Sequence, residues 1–182
     1  MKSRITLPLL LAAALSLSAC VSQSTYKQEV GKANTYQQLD KQLEGEVAAD
    51  QAQITQLQGL VRVTLANGIL FPEGGWELNA DGKKTLAKLA PVLKSLTGQT
   101  IRVKGYTDNV PIGPELRQRF ASNLELSKAR AQSVASELAA QGVPAAMLSV
   151  EGFGEADPVA SNDTPQGRAK NRRVVMDIVE AK

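Results

Sequence analysis

The sequence predicts an α/β sandwich, with a mixed sheet covered by helices mainly on one face and a helical stalk ahead of it. Three observations predict this. Short runs rich in alternating or β-branched apolar residues, Val61 to Leu65, Thr100 to Tyr106, Leu148 to Gly152 and Val174 to Val179, read as strands. Amphipathic helical runs separate the first three of them. The last strand follows only a short helical turn, so a purely parallel sheet with full crossovers is not expected, and the helices should gather on one side.

The 182 residues allow one domain of ordinary size plus appendages. Basic residues number 21 and acidic residues 18, but Lys2 and Arg4 lie in a segment expected to be removed. Without them the balance is close to neutral and gives no footprint for nucleic acid. Histidine is absent and cysteine occurs once, so an internal disulfide is excluded, and zinc sites and histidine-based triads lose their usual groups. No cofactor or metal is expected.

After Lys2 and Arg4 comes an apolar run, Ile5 to Leu17, broken by Thr6, Pro8 and Ser16. It is short for a membrane span and has the order of a secretory signal. It ends in Leu17-Ser18-Ala19-Cys20, which resembles the bacterial lipobox, where the cysteine is lipidated and becomes the first mature residue. The resemblance implies a signal peptide over 1–19 and a Cys20 carrying several acyl chains. At about 0.8 kcal/mol per buried methylene, more than one chain makes a stable membrane anchor. Val21 in place of an aspartate implies, by similarity, the outer membrane with the protein facing the periplasm. An ordinary signal peptide with an incidental cysteine is the alternative.

Residues 20–60 are rich in Gln, Lys, Glu, Asp and Ala and lack proline, which suits a solvated helix. A 3-4 pattern runs through Ala33, Tyr36, Asp40, Leu43, Val47, Asp50, Ile54, Leu57 and Val61, but two of its positions are aspartates, costly in a buried seam. Helical spacer, oligomeric coiled coil and flexible linker all remain open. As a helix, some 35 residues would reach on the order of 50 Å.

The globular domain is expected over 61–182. Val61 to Leu65 is its first strand, and Asn67-Gly68 offers a turn before Ile69-Leu70-Phe71, a hairpin signal. The PEGGW stretch from Pro72 to Trp76 is loop chemistry. Leu86, Leu89, Leu93 and Leu96 define a helix over Gly82 to Leu96, with Pro91 expected to kink it. Thr100 to Tyr106 is the second strand and Asp108 lies just beyond it. Asn109 to Phe120 is a loop. Ser122 or Asn123 caps a second helix, whose stripe is Ser127, Ala131, Val134 and Leu138, and Gly142 and Pro144 end it. Leu148 to Gly152 is a third strand, Gly167 to Arg172 a helical turn, and Val174 to Val179 the closing strand.

The chemistry concentrates between Gly105 and Val134. Asn123 and Arg130 are seven positions apart on one helix, so they share a face. With Asp108 at a strand end, they suggest a clamp for a ligand that presents both an amine and a carboxylate. Structural alternatives stand beside this: Asp108 as a turn cap, and Arg130 as a surface arginine pairing with Glu125 or Glu137. Trp76 reads as a packing residue rather than a sugar platform. Asn171-Arg172-Arg173 is an isolated basic patch, so no nucleic-acid partner is expected. Asp108 with Glu115 or Glu155 could form a hydrolase's carboxylate pair, but no nucleophile or metal motif accompanies them.

Four ordered motifs resemble one family. Thr107-Asp108, Asn123-x-x-Leu126-Ser127-x-x-Arg130-Ala131-x-x-Val134, Gly152-Phe153-Gly154-Glu155-x-x-Pro158 and Gly167-Arg168-x-x-Asn171-Arg172-Arg173-Val174 are similar to those of the OmpA-like peptidoglycan-binding domain, shared with Pal lipoproteins and MotB. The resemblance implies a βαβαβ(α)β fold and non-covalent, non-catalytic binding of the peptidoglycan stem. In that family the residue matching Asp108 takes the ammonium of diaminopimelate and the residue matching Arg130 its carboxylate, in a pairing that can be bidentate. Thr107, Asn123 and Leu126 would line the pocket, with Asn171 and Arg172 at its edge. The phrase TDNVPI and the long loop after it resemble the MotB branch, and Tyr106 stands where many members have histidine. The function implied is a lipid-anchored link from outer membrane to wall. The alternative is a scaffold that anchors an envelope or secretion assembly, with the stalk's own oligomer or envelope proteins as partners.

Overall fold

The computed structural model describes residues 23–181. The signal sequence and Cys20 lie outside the described residues. In chain order the elements are α1 (Gln23–Gln42), α2 (Glu44–Ala48), β1 (Ala52–Leu57), β2 (Leu60–Ala66), α3 (Asn67–Leu70), α4 (Ala80–Lys94), β3 (Gln99–Tyr106), α5 (Pro114–Arg117), α6 (Asn123–Ala140), a 3-10 turn (Ala145–Met147), β4 (Leu148–Gly152), α7 (Pro165–Asn171) and β5 (Arg173–Glu180).

The five strands form one mixed sheet in the order β1-β2-β5-β3-β4. Neighbours from β1 to β3 are antiparallel, and β3 and β4 are parallel, joined by α6. Inward residues of β2, β3 and β5, among them Val63, Leu65, Ile101, Val103, Val174 and Met176, pack with Leu86, Leu89 and Leu93 of α4 and Ala131, Val134 and Leu138 of α6 in one apolar core. The sheet is mixed and the core lies on one face, as the sequence predicts.

The region before residue 61 departs from expectation. A helix does precede the sheet, but it is not a free stalk reaching Leu60. It ends at Gln42, α2 adds one short turn, and Asp50, with a φ of 57°, turns the chain into β1. Ala52 and Ile54 point inward, opposite Leu65 and Val63 of β2, and the two-residue turn uses Gly59 at a φ of 86°. The helix also packs on the domain. Leu39 and Leu43 are fully buried in the core, with Tyr36 against it. The inward face is Lys32, Thr35, Leu39 and Leu43, while Asp40 and Val47 of the expected seam are exposed. A single helical face docked on its own domain replaces the coiled-coil pattern.

Two smaller expectations also change. The hairpin turn lies at Gln58-Gly59, and Asn67 to Leu70 is a helical turn rather than a strand. Pro91 lies inside α4, in its last turn, and the helix continues through it to Lys94 although the ring has no N–H to offer the carbonyl of Ala87.

The placement of α6 follows from glycines on the strand ends beneath it. A Cβ on Gly105 would lie 2.0 Å from the carbonyl oxygen of Ser127, and one on Gly152 would lie 2.6 Å from that of Leu124. Only bare backbone lets the first two turns of α6 rest on β3 and β4. Ser122 caps the helix by accepting from the Glu125 N–H. These contacts bring Asn123 and Arg130 to the carboxyl end of β3, where Asp108 leaves the sheet.

Candidate functional site

Asp108 is nearly buried. Its Oδ2 receives Arg172 Nη1 at 2.6 Å and its Oδ1 accepts the Val110 N–H at 3.2 Å, which turns the chain sharply after β3. Thr107 is also buried: its N–H donates to the Gly154 carbonyl at 2.7 Å and its hydroxyl to the Asp108 carbonyl at 2.8 Å. Asn123 closes the other side. Its Nδ2 donates to the Val110 carbonyl at 3.0 Å and lies near the Asp108 carbonyl and Glu155 Oε2, at 3.5 and 3.4 Å.

Arg130 is the unusual member. Only 6% of it is exposed, and its Nε donates to the main-chain carbonyl of Gly75 at 2.8 Å, with its guanidinium over the Phe71 ring. Among the described ion pairs none involves Arg130, and Glu125 and Glu137 bond elsewhere, to the Ala121 N–H and Gln141. Burial, reinforced by repulsion from Arg172 and partly offset by Asp108, lowers its pKa to about 10. It is therefore still a cation at neutral pH. A buried charge without an ion-pair partner is costly to the fold.

The structure brings together Thr107, Asp108, Asn123, Arg130 and Arg172. It gives the other two expected residues different surroundings. Leu126 is buried beneath the helix start. Asn171 is fully buried, and its amide is saturated: Oδ1 accepts from the Val159 and Ala160 N–H groups, and Nδ2 donates to the Ala160 carbonyl and Asn162 Oδ1. No side-chain bond is left for a ligand there; it braces the loop before α7.

Two contributors escape sequence reasoning. Gly75 orients Arg130 through its carbonyl, which no side-chain motif betrays. Ser127, within the helix stripe, accepts the Gly154 N–H at 2.9 Å and so ties the 153–155 turn to α6. Trp76 packs, as expected, edge-on to Phe120, with Arg119 over its ring, and its carbonyl accepts the Ser133 hydroxyl at 2.7 Å. The PEGGW loop is thereby fastened to α6 beside Arg130.

The sequence model of the OmpA family matches residues 70–172. The chain is 40% identical over 112 residues to the probable lipoprotein YiaD of Escherichia coli, covering 62% of this chain and 48% of that protein. It is 35% identical to the outer-membrane lipoprotein YfiB of Pseudomonas aeruginosa, covering 71% of this chain and 77% of that protein. It is 37% identical to the peptidoglycan-binding protein ArfA of Mycobacterium tuberculosis, covering 65% and 34%. The match thus spans about half of YiaD and a third of ArfA. Among solved structures, a MotB-like protein from Desulfovibrio vulgaris superimposes with a TM-score of 0.75 at 26% identity, over 85% of this chain and 99% of that one. The cell wall anchor of the type VI secretion system from Pseudomonas aeruginosa does so with 0.70 at 32% identity, over 79% and 97%.

Proposed function

Since the chain belongs to the OmpA family, we propose that it binds the stem peptide of peptidoglycan without covalent attachment and does no chemistry on it. The observation that carries this is Arg130, a buried cation with no ion-pair partner among the described residues, set close to a carboxylate at a strand end. Asp108 takes the ammonium of diaminopimelate and Arg130 the carboxylate beside it. A guanidinium already fixed through Nε still offers its terminal N–H groups for a two-pronged contact. Asn123 and Thr107 hold the Asp108 turn in place. Arg172 shares the Asp108 carboxylate in the free protein and stays as a second cation at the rim.

Binding rather than hydrolysis suits Asp108, whose two oxygens are already engaged by Arg172 and the Val110 N–H. Lipidation at Cys20 would tether the chain to the outer membrane, facing the periplasm, with the folded domain on the wall. YfiB, named an outer-membrane lipoprotein, supports that placement. The likeness to a type VI secretion wall anchor supports a second, compatible reading, in which the tether serves a larger envelope assembly.

Co-sedimentation with purified diaminopimelate-type sacculi tests the clamp. The full chain is expected in the pellet and the Asp108→Ala, Arg130→Ala double variant in the supernatant. Full retention of the double variant would remove the clamp from the account.

A further inference from the structure

A second cavity adjoins the clamp. It has a volume of about 440 Å3 and lies between the 109–122 loop and the 153–155 turn, at the start of α6. Pro111, Ile112, Leu124 and Phe153 give it apolar walls, and Arg117 and Glu155 give it charge. Phe153 is stacked on Tyr106 with ring centroids 4.9 Å apart, and Ile112 is buried, so these walls are fixed. Leu124 is half exposed although it is a large apolar side chain. An apolar surface left open inside a polar-rimmed cleft is a common mark of a ligand seat.

The charges in the cleft are unequally committed. Glu155 lies near the Asn123 amide at 3.4 Å. Arg117 is exposed, its Nε donates to the Ile112 carbonyl at 2.9 Å, and no described ion pair involves it. Like Arg130, it is oriented through Nε by a main-chain carbonyl, which leaves the terminal N–H groups for an anion. The cleft and the clamp are contiguous because they share Asn123, which lines the cleft and reaches the carbonyls of Asp108 and Val110. A residue next to one held by Asp108 would therefore enter the cleft.

We infer that this cleft is a second subsite, in which Arg117 binds another carboxylate of the same stem peptide while its short aliphatic part packs on Ile112, Leu124 and Phe153. The inference rests on the wall-binding reading above. Both neighbours of diaminopimelate carry the required chemistry: a following alanine has a methyl group and a terminal carboxylate, and the preceding γ-linked glutamate has methylenes and a free α-carboxylate. The aromatic face within the cleft is already stacked, which disfavours a sugar.

Calorimetric titration of the full chain with synthetic stem peptides tests this. The ligands are the tripeptide ending in diaminopimelate, the tetrapeptide ending in alanine, a version of each with the glutamate α-carboxylate converted to carboxamide, and a version of the tetrapeptide with the terminal alanine carboxylate converted to carboxamide. Against wild type, one of those amidations should weaken binding about tenfold, as expected for losing a charge-assisted contact. In Arg117→Ala and Arg117→Gln the same amidation should make no difference. Which amidation matters identifies the alanine or the glutamate as the source. The glutamine variant keeps a donor for the Ile112 carbonyl, so a loss seen only with alanine would mean loop positioning and would overturn the subsite. Equal amidation costs in variant and wild type would overturn it too. Wild-type affinity for every peptide in the Asp108→Ala, Arg130→Ala protein would instead overturn the clamp, on which the subsite depends.

Discussion

Two buried charges lie on opposite faces of the same sheet. Asp177, on the face away from the helices, is only 2% exposed, yet it receives Arg62 through two N–H groups at 2.6 and 2.8 Å and Lys104 at 2.9 Å. Burial alone would raise its pKa, but the hydrogen bonds from Arg62 and Lys104 outweigh that and hold its carboxyl below the usual range. Arg130, on the helix face, is buried almost as deeply and has a lone main-chain carbonyl. The first charge has two ion-pair partners within the fold, whereas among the described residues the second has none. Burial alone therefore does not separate the two residues; the presence or absence of an ion pair does.

The largest expected effect comes from making Arg130 neutral. Arg130→Met keeps much of the volume and removes a costly charge, so stability should hold or rise slightly, in line with apolar replacement of buried ions. Binding to stem peptide should fall about 100-fold, the worth of a two-pronged charge-assisted contact. Thermal unfolding and calorimetry on the same preparation separate the two. A large loss of stability would mean that Arg130 is structural and would erase its contrast with Asp177.

Asp177→Asn should show the opposite pattern. Two cations lose their counter-charge, and since Arg62 is partly exposed the cost is discounted to about 2 kcal/mol, with peptide binding unchanged. The pH dependence has a definite sign. A carboxyl whose folded pKa is depressed contributes stability above its unfolded value, about 3.9, and loses it as pH falls through the lower folded value. The wild-type advantage over Asp177→Asn, measured by urea unfolding, should therefore be full at neutral pH and shrink below about pH 4. An advantage that persists undiminished at lower pH would mean that the ion cluster is not its source.

This contrast also explains what the sequence could show. The strands from Val61 onwards, helices α4 and α6 and the shared face of Asn123 and Arg130 are legible because periodicity writes them into side-chain identity. β1 is not, because Gln51 to Leu57 continues a glutamine-rich run, and its strand character depends on pairing with β2. The docked face of α1 lies about one residue from the 3-4 pattern, since Leu43 fits both the inward row and the pattern while Asp40 fits only the pattern. Arg130 could be placed beside Asp108, but whether it was already paired could not be read, because its partner is a carbonyl of Gly75. Main-chain acceptors carry no letter of their own. Asn171 carries the opposite lesson: a polar side chain within a binding motif can be wholly consumed by its own loop.

The smallest effect sharpens the role of that carbonyl. Ser133 lies on α6 three residues beyond Arg130, and its hydroxyl donates to the carbonyl of Trp76, the residue after Gly75. The two bonds from one helix therefore fasten adjacent links of the PEGGW loop. Ser133→Ala removes a single neutral hydrogen bond, so it should cost about 1 kcal/mol of stability. If the loop orients Arg130, the same substitution should also weaken stem-peptide binding roughly threefold, because a looser Gly75 carbonyl leaves the guanidinium less ordered before the ligand arrives. Losing stability with no change in affinity would mean that Arg130 holds its pose without Gly75, through its burial over Phe71 alone.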